Sequence, residues 1–116
     1  MIQYLFLNKP GKLINFIEEV FDAKELRERT IDEGIIINAL FDVAGNHYEI
    51  SQARGEFKQT CHNFHLYVKD MEAILSKAEL TGCDVKYKFQ KMDYGDEESW
   101  FIDPFDNNWF VATPLK

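Results

Sequence analysis

One pattern occurs twice in this chain, about 61 residues apart, and it limits the possible folds more than any other feature. Phe41-Asp42-Val43-Ala44-Gly45-Asn46-His47-Tyr48-Glu49-Ile50-Ser51 reads as an apolar strand, an Asp-opened tight turn and a returning strand. Ile102-Asp103-Pro104-Phe105-Asp106-Asn107-Asn108-Trp109-Phe110-Val111-Ala112 reads the same way. Tyr4-Leu5-Phe6-Leu7 and His65-Leu66-Tyr67-Val68 form a second matched pair, each a short strand running into an amphipathic helix. A duplicated supersecondary unit rarely buries its apolar face alone, so the repeat predicts two modules folding as one domain.

The periodicities fill in each module. Residues 2–8 are apolar and β-rich. Pro10 suits a first helical turn, where its missing N–H costs nothing. Leu13, Phe16, Ile17, Val20 and Phe21 then repeat at helical spacing, so residues 10–21 form a helix. Lys24 to Thr30 reads as a short exposed strand, Ile35 to Phe41 as a strong one, and Gly45-Asn46 as a hairpin signal before His47 to Gln52. In the second module, Asn63 to Val68 is a strand and Asp70 an N-cap. Met71, Ile74, Leu75 and Ala78 make the apolar stripe of the helix, and Gly82 its C′ residue. Val85 to Phe89, Ser99 to Ile102 and Trp109 to Ala112 are the remaining strands. The acidic run Asp93 to Glu98 reads as a solvated turn.

The predicted class is α+β: two βαβββ modules forming a curved mixed sheet around a cavity, with the helices on its outer face. A single domain spans residues 1–116, with module 1 at 1–53, a polar bridge at 54–61 and module 2 at 62–116.

Composition narrows the function classes. Net charge is -7, and no basic stripe follows a predicted helix, which argues against nucleic acid and anionic membranes as partners. A cationic ligand would be steered toward such a field. Cys61 and Cys83 have neither CxxC nor zinc spacing, the pattern of reduced thiols in the cytoplasm. The N-terminal residues lack a signal-peptide pattern, and no apolar run approaches the ~20 residues that span a bilayer.

Several pieces carry a family likeness: Tyr4-Leu5-Phe6-Leu7-Asn8, Phe16 with Val20-Phe21-Asp22-Ala23, Tyr94-Gly95-Asp96, and Asp103-Pro104-Phe105 with Asn107 and Trp109. On a repeated βαβββ frame they resemble the vicinal oxygen chelate superfamily, which holds glyoxalase I, bleomycin-resistance proteins and extradiol dioxygenases. The small PhnB-like branch is the nearest in pattern, and the likeness covers nearly the whole chain. Ile17, Asp106 and Glu97 depart from it. Glu97 stands where Arg is common, which disfavours an anionic substrate.

Metal-dependent members of that superfamily place ligands on the first and fourth strands of each module. The resemblance and the 61-residue step together assign those points to Ile2, Glu49, Asn63 and Phe110. Ile and Phe offer no donor atom, so this quartet lacks the superfamily's metal chemistry. Strand parity puts Tyr4, Phe6, His47, Ser51, His65, Tyr67 and Ala112 on the same face as Glu49 and Asn63. The opposite face is apolar and belongs under the helices.

The function these residues predict is metal-free binding of a small aromatic or cationic organic molecule, with no cofactor, as bleomycin-resistance relatives bind theirs. Tyr4, Phe6, Tyr67 and Phe110 would form the walls, Glu49 the charge, and His47, Asn63 and His65 the hydrogen-bonding partners. Glu49 and His65 are the candidate catalytic pair. The alternative is a metal-dependent lyase, isomerase or dioxygenase of the glyoxalase type, its ion held by His47, Glu49 and His65. His62 is expected to be exposed. Relatives of this kind pair, so a homodimer is expected.

Overall fold

A computed structural model describes residues 1–115. They form two compact units, one ending at Thr60 and one beginning at Cys61. The first contains β1 (Gln3–Leu7), α1 (Pro10–Phe21), β2 (Lys24–Glu25), β3 (Thr30–Asp32), β4 (Ile35–Val43) and β5 (Asn46–Gln52). The second contains β6 (Asn63–Tyr67), α2 (Met71–Leu80), β7 (Asp84–Lys91), β8 (Asp96–Ile102) and β9 (Asn108–Pro114). The βαβββ order therefore holds in both, with the second strand of module 1 split into β2 and β3 along β4. Where the sequence predicts strands curving into one sheet, backbone bonding makes two mixed sheets, one per unit. Their orders are β1-β5-β4-β2 and β6-β9-β8-β7.

The first strand of each module runs parallel to its last, and here the repeat is faithful. Tyr4 lies opposite Glu49, and 61 residues on His65 lies opposite Phe110. Alternation then sorts the side chains. Leu5, Leu7, Tyr48 and Ile50 are buried in the first unit, and Phe64, Leu66, Trp109 and Val111 in the second. Helix α1 covers β4 and β5 with Leu13, Phe16, Ile17 and Val20, all nearly inaccessible, because these positions recur on one side of a 3.6-residue helix. Helix α2 starts at Asp70, whose carboxylate accepts from the Ala73 N–H at 3.1 Å, and packs near β7 and β9.

The hairpins break the repeat. Asp42 was expected to open a turn, but it lies inside β4 opposite His47. The turn is Ala44-Gly45, with φ of 50° and 85°, the doubly positive pair that matches hairpin twist. In module 2 the strands part after Ile102 and rejoin at Asn108, and Asp103 does organise the loop. Its carboxylate accepts from the backbone N–H groups of Phe105 and Asn107, from Asn107 Nδ2 and from Trp109 Nε1. The longer loop shifts the step between β4 and β8 to 60: Leu40 and Trp100 face Glu49 and Phe110, respectively.

Strand β7 carries two register shifts against β8, between Val85 and Tyr87 and between Tyr87 and Gln90. By simple alternation Tyr87 would share the face of Val85, under the helix. The extra residue turns it to the open face beside Trp100, the re-aiming that a bulge performs.

Candidate functional site

The face of the second sheet away from α2 holds a cluster of buried carboxylates and tyrosines. Glu98, 3% exposed, accepts from the hydroxyls of Tyr87 and Tyr94, the latter at 2.8 Å. Its Oε1 also lies 3.2 Å from His65 Nε2. Asp96, 6% exposed, accepts from the Tyr67 hydroxyl at 2.8 Å, so Tyr67 reaches past β9, where its own partner is the small Ala112. Burying a carboxylate is costly unless it is hydrogen-bonded, and the phenols supply those bonds. The carboxylates in turn hold the phenols neutral. The bond to Glu98 is the main cause that raises the Tyr94 pKa to about 12. The bond to Asp96 is the main cause that raises Tyr67, while for Tyr87 desolvation acts first and the Glu98 bond second.

Aromatic rings border this cluster. Trp100 stacks on Phe110 with centroids 5.6 Å apart, and Tyr87 meets Trp100 edge-on at 5.7 Å. The His65 ring stands edge-on to Tyr67 at 5.2 Å. Asn63 accepts from Asn108 Nδ2, and Asn108 Oδ1 accepts from the Trp100 indole N–H. His65, Tyr67, Asn63 and Phe110 thus share one face as parity predicted.

The first unit's open face is built differently. Tyr4, Phe6 and Phe57 stack in a ladder at 4.7 and 4.9 Å, with Phe57 supplied by the segment after β5. Asn38 donates to the Tyr4 hydroxyl at 3.2 Å and to Glu49 at 3.4 Å. Arg27 lies 3.6 Å from Glu49, so the carboxylate expected to provide free charge already has a cation. His47 stands 3.7 Å from Asp42 Oδ1, a buried atom with no hydrogen-bond partner, and borders a hollow of about 370 Å³ with Met1 and Gln3.

Equivalent positions repeat across the modules. Asn38 precedes Ala39, which lies opposite Ile50, in the way that Glu98 precedes Ser99, which lies opposite Val111. The first-strand residue bonds to this position in both cases: Tyr4 to Asn38, His65 to Glu98. One slot is therefore a neutral amide in module 1 and a buried carboxylate in module 2.

Sequence reasoning missed Tyr87, Trp100, Asp96 and Glu98. The acidic run Asp93 to Glu98 is not a solvated turn throughout, since β8 begins at Asp96. The period-two series Asp96, Glu98, Trp100, Ile102 was the available signal. Glu97 points to the opposite side of β8 from Glu98, so the open face carries Glu98 and not Glu97. His62 is partly buried, 5.8 Å from the Phe64 ring, and desolvation lowers its pKa against the opposing pull of Asp103.

The assigned metal quartet does not fit a divalent ion. Ile2 and Phe110 have no donor, and Glu49 is engaged by Arg27 and Asn38. Among the described residues no group of three or more His, Cys, Asp or Glu is placed to hold a metal. His47, Glu49 and His65 each have a partner within their own unit: Asp42, Arg27 and Glu98. No described helix is long and apolar enough to cross a membrane.

No family model and no curated protein sequence matches the chain. Solved structures do. The chain is similar to TioX from Micromonospora sp. ML1, with a TM-score of 0.81 at 19% identity over 99% of this chain and 98% of that one. It is similar to an Arabidopsis thaliana gene product, with a TM-score of 0.74 at 20% identity over 97% and 96%. It is also similar to the fosfomycin resistance protein FosX from Listeria monocytogenes, solved with Mn(II) and sulfate, with a TM-score of 0.73 at 13% identity over 99% and 89%. The chain has the glyoxalase-like α+β fold of these solved structures.

Proposed function

We propose that this protein binds a small aromatic or cationic organic molecule against the sheet faces that lie away from its helices, without a metal ion. The supporting observation is the makeup of those faces. Tyr4, Phe6, His65, Tyr67, Trp100 and Phe110 all keep part of their surface open, whereas the helix-covered faces are closed and apolar. Rings with a few fixed polar groups are the usual lining of a small-molecule site. Glu49 and His47 contribute polar atoms in the first unit, and Asn63 in the second. The PhnB-like branch, one domain of two modules, a cytoplasmic location and a homodimer complete the proposal. Each sheet ends in edge strands, which pairing would protect.

A thermal-shift panel of small aromatics, neutral, cationic and anionic, tests the reading. A ligand that binds the native state raises Tm by mass action. Saturable stabilisation by aromatic members supports the proposal, and a flat response across the panel refutes it.

A further inference from the structure

We infer that Glu98, rather than Glu49, is the counter-charge that selects the ligand, and that the open face of module 2 seats an organic monocation bearing N–H donors. This deepens the small-molecule reading and rests on it. Glu49 has Arg27 at 3.6 Å, so its charge is already offset. Glu98 and Asp96 are both nearly inaccessible, and among the described residues neither has a Lys or Arg partner. His65 carries charge only when protonated.

The hydroxyl protons give the site its sign. Tyr87 and Tyr94 each donate to Glu98, and Tyr67 donates to Asp96. A phenol has one proton, so all three have spent theirs inward. What remains for a ligand is oxygen lone pairs and ring faces. Tyr67 and Tyr94 are 53% and 62% exposed, so both residues face solvent. An anion or a pure acceptor finds no partner on these tyrosines. A protonated amine, amidinium or guanidinium finds acceptors polarised by buried negative charge, and stacked rings at Trp100 and Phe110 to lie against.

The duplication gives an independent comparison. The slot of Glu98 is Asn38 in module 1, where the neighbouring carboxylate is paired and the ring ladder is Tyr4, Phe6 and Phe57. The same frame therefore presents neutral aromatic surface in one module and anionic aromatic surface in the other.

Isothermal titration of the full chain at pH 8 with benzamidinium, neutral benzamide and benzoate tests this. Benzamidinium is expected to bind about tenfold or more tighter than benzamide, with benzoate weakest. Glu98→Gln should cost benzamidinium about tenfold, while Glu72→Gln on α2, with the same change in net charge, stays within about twofold. Tyr94→Phe, at a residue 62% exposed, should cost about threefold and covers the case in which Glu98→Gln unfolds. Benzamide binding as tightly as benzamidinium, or wild-type affinity in both Glu98→Gln and Tyr94→Phe, overturns the inference and leaves the small-molecule reading standing. Failure of all three probes to bind overturns the inference, and a flat thermal-shift panel besides would remove the broader reading.

Discussion

Asp103→Ala should remove a large part of the stability of this protein. Asp103 is 3% exposed and accepts four hydrogen bonds of 2.8 to 3.1 Å. Three of the donors it would abandon, the Asn107 N–H, Asn107 Nδ2 and Trp109 Nε1, form buried bonds. Each buried donor left unpaired costs about 1–3 kcal/mol. Removing the carboxylate also relieves its own desolvation, which returns part of that cost. The net loss should be about 4 kcal/mol, against a total of ~5–15 kcal/mol for an ordinary domain. Asn107 would be released as well, and its Oδ1 holds the His62 N–H at 2.9 Å, so the damage should spread to the start of β6. Urea unfolding followed by near-ultraviolet circular dichroism measures the loss and reports on Trp109. A loss under about 1 kcal/mol would show that the loop finds other acceptors, and the account of Asp103 as organiser of the hairpin would be wrong.

Tyrosine ionisation by ultraviolet absorbance should show Tyr94 titrating near pH 12, with Tyr67 and Tyr87 also late. Because these pKa values are raised in the folded state, their contribution to stability is full below ~10 and is lost as pH climbs toward 12. Glu98→Gln should bring Tyr94 back toward the ordinary phenol range, and an unchanged titration would refute the bond as its cause. Cys61 is exposed, whereas burial pushes the Cys83 thiol up to about 11, so a thiol reagent at pH 8 should label Cys61 first. Equal labelling rates would contradict that burial. Asp70→Ala should cost about 1 kcal/mol through the lost cap on α2, read from the urea midpoint. Light scattering should give the mass of a homodimer, and the mass of one 13.6 kDa chain would refute pairing.

What the sequence revealed tracks periodicity. The α1 stripe from Leu13 to Phe21 and the alternation of Leu5, Leu7, Phe64 and Leu66 fixed helices, strands and buried faces, because burial there follows a constant period. The placement of Tyr4 and Phe6, and of His65 and Tyr67, on the open face of each sheet came from the same source. Local departures from the period were not legible. The bulges of β7 moved Tyr87 to the open face, and nothing in Val85 to Phe89 announces an extra residue. The one-residue difference between the hairpins aligned Asp42 with Asp103 in sequence and separated them in structure. Charge was misplaced for a related reason. Glu49 looked free because Arg27 is distant in sequence, and Glu98 looked solvated because its neighbours are acidic. Pairings set by tertiary contact leave no trace in local composition.

The indole N–H signals of the two tryptophans offer the most direct test. Trp100 Nε1 bonds Asn108 at 2.9 Å on the open face, while Trp109 Nε1 bonds Asp103 at 2.8 Å in the buried core. Titration with an aromatic cation such as benzamidinium, followed by ¹H–¹⁵N correlation spectra, reads both sites at once. Binding against the open faces predicts a saturable shift of the Trp100 signal and a still Trp109 signal. A ligand that saturates the protein while Trp100 stays unmoved would contradict the account.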